Sequence, residues 1–549
     1  MFEIILKSII FIAVLVVAIL YYRKHKNEKY NILRVLFAVV LLTMVLSYLI
    51  PGKNYSSYTG KLESGYAPIS ISDMFLNGIT AMNVSLVTIA YLFAVSLFYV
   101  VLKKTNKYEV IVNNVAATFK KNKSLFIVLT VFVLGLTSLV TGQLCIMIVF
   151  IPFLISVIRK LGYSKEIAIT TTIGSVLLGN AGTLNAYSNS LLSLSVKDNV
   201  ATKIVVAIVA LVCLLGFILV FSSKPVSTKE LTKTKEKKVL PIYIAFIVIF
   251  VLLILGFVSW NSYFGFEGFK DLLTSIRKVS IGKVSIFDAL IGSQNIITPF
   301  GEWALNNASV LLLFVTIIMV IVYKVRLLDS VAEAAKKALP YAGLLVLSNL
   351  VLVNIVQSGL FYQVQMLFTT KSVNLFNSSV SSLFSSMTIS DLTFATSFTL
   401  EAIIRNTKAL DFENLLSIVF QTVYSLGLIV SPVSVLALFG LNYTETSYKD
   451  WFKHIWKFFL IMLVALLVVI KVLIDGFTLG SIIAFVLLIV GLALLAFLKV
   501  KNIENSTKKV TKKEEVKVTK IEEKKDEPIK EEKEESKKDS KNKSNKKKK

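Results

Sequence analysis

Histidine and cysteine are almost absent, with two of each in 549 residues. Cys145 and Cys213 both lie in apolar stretches, so no disulfide framework can be drawn. His25 and His454 both read as members of basic loops, which leaves no metal cluster and no histidine-based triad. No cofactor is expected beyond Na⁺ or H⁺ as a coupling ion. There is no Gly-Lys-Ser/Thr phosphate loop, which argues against an ATP-driven pump within this chain. Catalytic carboxylates or histidines do not gather at one membrane face, so the chain does not read as an enzyme. Acid is scarce too: 34 Asp and Glu stand against 60 Lys and Arg, a net charge of +26. In a soluble protein that excess would suggest nucleic acid. Here it lies in short loops and in a terminal tail, and no nucleic-acid partner is expected.

What is abundant is apolar sequence, at 55% of the chain. So many long apolar runs define a polytopic membrane protein, all-α in class. A spanning helix needs about 20 mostly apolar residues. Segments 4–22, 33–50, 82–103, 201–222, 239–259, 307–325, 340–358, 454–473 and 478–498 qualify. The first is followed by Tyr22-Arg23-Lys24-His25-Lys26 and reads as an anchor rather than a removed signal peptide. Positive loops at Arg23–Lys29, Lys103–Lys123 and Lys224–Lys238 fall on the cytoplasmic side. That puts the N-terminus outside, and leaves the charge-balanced stretch 260–306 as a long external loop. The alternation holds only if 124–160 and 373–408 each enter and leave on one side, as re-entrant hairpins do. The amphipathic stretch 327–339 reads as an interfacial arm before the span 340–358.

Two polar, glycine-marked breaks interrupt apolar helices. One runs from Gly179 to Asn189, the other from Gln421 to Ser434. Unwound backbone survives in a bilayer only where protein or a wet cavity satisfies it. Paired interrupted helices point to a secondary transporter's binding site. Sliding the chain by 248 residues brings Gly179 onto Gly427, Ser138 onto Ser386 and Lys160 onto Lys408. In both halves the order is span, span, hairpin, broken helix, span. The expected fold is therefore two inverted repeats, each with a re-entrant hairpin and a broken transmembrane helix. Residues 1–32 form an extra anchor and basic loop. Residues 33–222 are the first repeat, with hairpin 124–160 and broken helix 165–195. A linker with one span and the external loop covers 223–306. The second repeat covers 307–474, with hairpin 373–408 and broken helix 411–441. An extra span (475–500) and a Lys/Glu-rich tail (501–549) too polar to fold complete the chain. The tail reads as cytoplasmic and solvated, its terminal lysines able to touch anionic lipid or RNA.

The residues also carry a resemblance. Ile50-Pro51-Gly52-Lys53-Asn54-Tyr55 and Tyr99-Val100-Val101-Leu102-Lys103-Lys104-Thr105 resemble the Pro-Ala-Gly-Glu-Tyr and Gly-Val-Leu-x-Lys-Thr-Gly segments of YfcC-type carriers. These belong to the anaerobic C4-dicarboxylate and basic amino acid carrier group of the ion transporter superfamily. Phe420-Gln421 with Ser431-Pro432-x-Ser434, and Tyr448-Lys449-Asp450-Trp451-Phe452-Lys453, are similar to their later motifs. The resemblance covers about 33–474. It implies transport of a small carboxylate-bearing solute: an amino acid, a dicarboxylate or a short-chain fatty acid. The chain departs from the pattern at Cys145-Ile146, where the family has a Glu pair, and at Val423-Tyr424-Ser425, where it has Gly-Asp-Gly. A transport-inactive scaffold or receptor acting through its tail is the alternative.

Candidate substrate contacts are Thr141, Gly142 and Gln143 at the first hairpin tip, and Asn180, Thr183, Asn185, Ser188 and Asn189 in the first break. Ser390 and Thr393 at the second tip, and Gln421, Ser425, Ser431 and Ser434 in the second break, complete the set. Half-helix ends and tips suit a carboxylate, unwound carbonyls suit Na⁺, and amide side chains can orient a zwitterion. Each Ser or Thr alone has the plainer reading of helix packing. Asp391 is the one carboxylate expected near mid-membrane and the candidate ion-coupling residue. Its plainer reading is a helix cap. Expected partners are the substrate, the lipid bilayer and a second copy in a homodimer. The expected location is the cytoplasmic membrane.

Overall fold

The computed structural model describes residues 31–476, apart from 51, 56–61, 65–67, 185, 222–230, 235, 237, 294–296, 370–372 and 407–411. Runs of one to three residues within 16–24 and 478–490 are also described. The first and last expected spans as wholes, and the tail, lie outside the described residues.

Among the described residues, eight helices are long and apolar enough to cross a membrane. The protein is an all-α polytopic membrane protein. Its centre is a pair of long helices, α2 (Ile71–Lys104) and α15 (Leu327–Gln357), packed along each other. Helix α1 (Asn31–Leu49) packs on α15, and α14 (Leu305–Tyr323) on α2. Helix α2 starts where Ser70 and Asp73 cap each other: the Ser70 hydroxyl accepts the Asp73 amide at 3.1 Å and Asp73 accepts the Ser70 amide at 2.9 Å. At about 1.5 Å per residue, α2 is some 50 Å long, well beyond the ~30 Å apolar core of a bilayer. Buried amides tie the pair together. Asn77 donates to Asn354 at 3.0 Å, Asn354 to Thr43 of α1 at 3.1 Å, and Asn349 to Ser85 at 2.8 Å.

Around this pair lie two helical hairpins. Helix α3 (Tyr108–Thr118) leads into the first, α4 (Lys123–Thr141) and α5 (Ile151–Lys160), joined through a 3-10 turn at Cys145–Val149. The break after α4 follows from Gly142, which caps it with φ +65°, a left-handed conformation that glycine adopts without strain. Helix α16 (Leu360–Thr369) leads into the second, α17 (Leu375–Thr388) and α18 (Leu392–Asn406).

Each hairpin is followed by an interrupted helix. Helices α6 (Lys165–Ile169) and α7 (Ser175–Asn180) are joined by a π-helical turn at Thr170–Gly174; helix resumes as α8 (Ala186–Leu191). Helix α9 (Val200–Gly216) follows, then α10 (Leu240–Phe257). In the second half α19 (Glu413–Gly427) stops and α20 (Val435–Thr444) resumes, before α21 (Tyr448–Asp475). Helix α4 packs on α7, and α17 on α19.

Three details differ from expectation. The stretch 327–339 is not a separate arm: α15 runs unbroken through Pro340. Tertiary packing against α2 offsets the backbone hydrogen bond that proline forfeits. Segment 260–306 is not simply a loop. It folds into α11 (Trp260–Phe264), α12 (Gly268–Lys278) and α13 (Ile286–Leu290) around a ring cluster that includes Trp260, Phe269, Phe300 and Trp303. His454 lies not in a loop but within α21, edge-on to Phe217 at 5.4 Å and beside the Thr170 hydroxyl at 3.3 Å.

Candidate functional site

The two hairpin tips face one cavity of about 90 Å³. The first tip contributes Gly142, Gln143, Leu144 and Cys145, the second Ser390 to Phe394. Val84 and Thr88 of α2, Leu345 and Asn349 of α15, and Val435 at the start of α20 complete most of the wall. The space is enough for several waters, and its lining is polar enough to hold them.

Local chemistry explains each tip. Thr141 bonds back to the Thr137 carbonyl at 2.7 Å and accepts the Gln143 amide at 3.4 Å, which closes the turn. Tyr91 and Tyr99 of α2 donate to the carbonyls of Ile146 and Val149 at 2.7 and 2.6 Å, fixing the first tip to the long helix. Asp391 is the cap of α18, its Oδ1 accepting the amides of Thr393 at 2.9 Å and Phe394 at 3.0 Å. The capping reading is thus satisfied, yet it uses only one oxygen. Oδ2 has no hydrogen-bond partner among the described residues, and Asp391 is exposed to the cavity. Tyr424 donates to the Ile389 carbonyl at 3.0 Å, and Ser390 accepts the Val435 amide at 3.0 Å, so α19 and α20 hold the second tip.

The second break is shorter than expected: Gln421 to Gly427 are still helical in α19, and it is this last part of α19 that meets the residues around the first break. Asn180 donates to the Ser425 hydroxyl at 3.0 Å, Gln421 to Ser188 at 3.0 Å, and Thr422 to the Ala181 carbonyl at 3.1 Å. Asn180 and Gln421 are wholly buried, and their amide oxygens lack partners among the described residues. A buried amide oxygen left unpaired costs roughly 1–3 kcal/mol, so this crossing is a polar place kept at a cost to stability. Thr183 lies against the Leu139 carbonyl at 3.4 Å and links the first break to the first hairpin. In the second break, Ser431 accepts the Val433 amide at 3.2 Å and Ser434 caps α20 through the Ala437 amide at 3.4 Å. The unwound carbonyls of Ile429, Val430 and Val433 accept bonds from Trp451, Tyr448 and Ser348 respectively. Asn185 lies outside the described residues.

Of the sequence-predicted set, the structure brings Gly142, Gln143, Ser390, Asp391 and Thr393 to one cavity, with Thr141 immediately behind. Asn180, Ser188, Gln421 and Ser425 gather at the buried crossing instead. Asn189 belongs to neither. It accepts from the Lys203 ammonium at 2.9 Å and donates to the Ser195 carbonyl at 2.8 Å. Sequence reasoning missed Lys203, which is 2% exposed inside an apolar helix. It missed Asn349 and Tyr91 as well. Asn349 interrupts a run of apolar residues in α15, which was the available signal. Among the described residues, no group of three or more His, Cys, Asp or Glu could hold a metal.

No protein-family model matches the chain, and no curated protein does. Among solved structures it is similar to the YdaH transporter of Alcanivorax borkumensis. Identity is 11% and the TM-score 0.38, over 82% of this chain and 99% of that one. It is also similar to MtrF of Neisseria gonorrhoeae, described as illuminating a class of antimetabolite efflux pumps. Identity is 11% and the TM-score 0.36, over 80% and 94% of the two chains. Likeness of this degree bears on neither family nor activity.

Proposed function

We propose that this protein is a secondary transporter of a small carboxylate-bearing solute, ion-coupled or exchanging, that works by alternating access in the cytoplasmic membrane. One observation carries the reading: two hairpin tips, distant in sequence, share a cavity into which the free oxygen of Asp391 opens. An ionisable group so placed in a membrane protein is costly to keep without a use. Among the described residues, the cavity lining carries no cationic side chain. A solute with both an ammonium and a carboxylate suits it best. The ammonium pairs with Asp391, and the carboxylate takes the Gln143 amide and the Ser390 or Thr393 hydroxyl. An amino acid is therefore favoured over a dicarboxylate, for which Asp391 would first need a proton or Na⁺. Both solutes lie within what the resemblance to YfcC-type carriers implies, so the preference rests on the cavity lining alone.

Alternating access needs one architecture used twice, and the element boundaries support a repeat. Shifting by 248 residues carries Lys165 to Glu413, Asn180 to Leu428 and Val200 to Tyr448, each at or within one residue of an element's end. Gly179 packs on Gly135, and 248 residues on, Gly427 packs on Leu383 and Ser386. We take 33–222 and 307–474 as the two repeats, with the N-terminus outside and the tail cytoplasmic. A homodimer is the proposed assembly.

The test is a thermal-shift screen of purified protein against amino acids, dicarboxylates, short fatty acids and dipeptides, in Na⁺ and in K⁺ at two pH values. A ligand that binds only the folded state at a hundred times its Kd adds about 2.7 kcal/mol. One amino acid class should raise the midpoint, and Asp391→Asn should abolish the rise with the protein still folded. A flat response across the panel would turn the reading toward a membrane scaffold acting through its tail.

A further inference from the structure

The tip cavity has neighbours along the same helices. A second, of about 170 Å³, lies one helical turn further along the same helices. On α2 the lining passes from Val84 and Thr88 to Leu92 and Ser96; on α15 from Asn349 and Leu345 to Tyr341 and Lys337; on α20 from Val435 to Phe439 and Tyr443. Steps of three to four residues stay on one helix face, so each helix turns a single continuous stripe toward this seam. The second cavity is mostly apolar. The rings of Tyr341 and Phe439, 4.8 Å apart, and of Phe439 and Tyr443, 6.4 Å apart, stand along it.

A third, wider cavity of about 500 Å³ shares Lys103 and Tyr443 with the second. It is lined by Lys103, Arg159, Lys160 and Lys165 against one carboxylate, Glu109, which pairs with Lys160 at 3.6 Å. Four cations around a concave opening focus a positive field, which concentrates anions and speeds their arrival. The apolar seam beyond it offers an organic body a place to leave water and gives an inorganic ion nothing.

We propose that the α2–α15–α20 seam is the route between the tip cavity and the basic face of the molecule, and that the basin at its mouth is an access site that takes the carboxylate end of a small organic solute. This rests on the transporter reading and adds its path. The aromatic trio lines the route, and the basin draws the carboxylate of what enters.

The test uses the full chain in nanodiscs, with Cys145→Ala and Cys213→Ala as background. Ser96→Cys or Phe439→Cys places a thiol in the seam, and Val205→Cys places one on an apolar outer face of α9 as control. Each is treated with an anionic sulfonatoethyl or a cationic trimethylammonioethyl methanethiosulfonate. Both seam thiols should react, with the anionic reagent favoured relative to a free thiol, and the control should stay inert. Lys103→Gln with Arg159→Gln should lower that preference on the order of tenfold. Seam thiols as inert as the control would overturn the route. A preference that ignores the basin charges would overturn the access site. Ser96→Cys exchanges one atom, so its fold is kept if the larger change at Phe439 is not tolerated. Labelling needs neither substrate nor turnover. A reactive seam with a flat ligand panel would therefore sink the transporter reading and leave the route standing.

Discussion

Lys203 and Asn189 are the most instructive pair of side chains. A buried ammonium in an apolar helix is stable only if its donors are met, and Asn189 meets one of them at 2.9 Å. Asn189→Leu should lower stability by about 2 kcal/mol, since a hydrogen bond to a charged group is lost and the charge stays buried. Adding Lys203→Met should recover much of that loss, because the uncompensated charge is gone; thermal midpoints of the two variants decide it. If the double variant falls by the sum of its parts, the two residues are not coupled. Lys203 escaped the sequence because it stands three residues into its helix, where a lysine reads as a loop charge. Asp391 was legible because no other carboxylate falls in that hairpin's turn. What was not legible is that its two oxygens have different tasks.

Helix interruption was readable at both breaks, since glycine and amide side chains inside apolar runs have no use in a plain span. The π-helical turn at Thr170–Gly174 was not readable, as β-branched residues and glycine are also common in unbroken transmembrane helices. Close packing sets the glycines. A Cβ at Gly179 would stand 2.0 Å from the Gly135 carbonyl oxygen, whereas one at Gly427 would meet the Ser386 side chain at 2.0 Å. Gly179→Ala should therefore cost about 3 kcal/mol with no nearby remedy, because backbone cannot yield. Gly427→Ala should be partly rescued by Ser386→Gly, and thermal unfolding of the single and double variants measures the difference. Equal losses in the Gly427 single and double variants would show that the Ser386 side chain is not what the added methyl group meets.

Three helices of the central pair and its flank are joined by one buried amide. Asn354 accepts from Asn77 of α2 and donates to Thr43 of α1. Lipid supplies no hydrophobic drive between helices, so such bonds and close packing hold the bundle. Asn354→Leu should lower the thermal midpoint by the equivalent of about 1–2 kcal/mol, and Asn77→Leu in the same chain should add less than its own single effect. Full additivity would mean the amides act separately.

Composition and periodicity alone determined that this chain enters a membrane as helices and where those helices are broken, because both depend on local runs of apolar and polar residues. They also offered a set of polar candidates, which left out Lys203, Asn349 and Tyr91. Only the tertiary structure divided that set, sending the tips to an open cavity and the breaks to a closed crossing. It alone aligned the stripes of α2, α15 and α20 into a seam ending in a basic basin. Which polar groups meet, and which stay open, depends on contacts between residues some 200 to 300 positions apart, such as Asn180 with Ser425 and Asn77 with Asn354. No local run of sequence encodes those meetings.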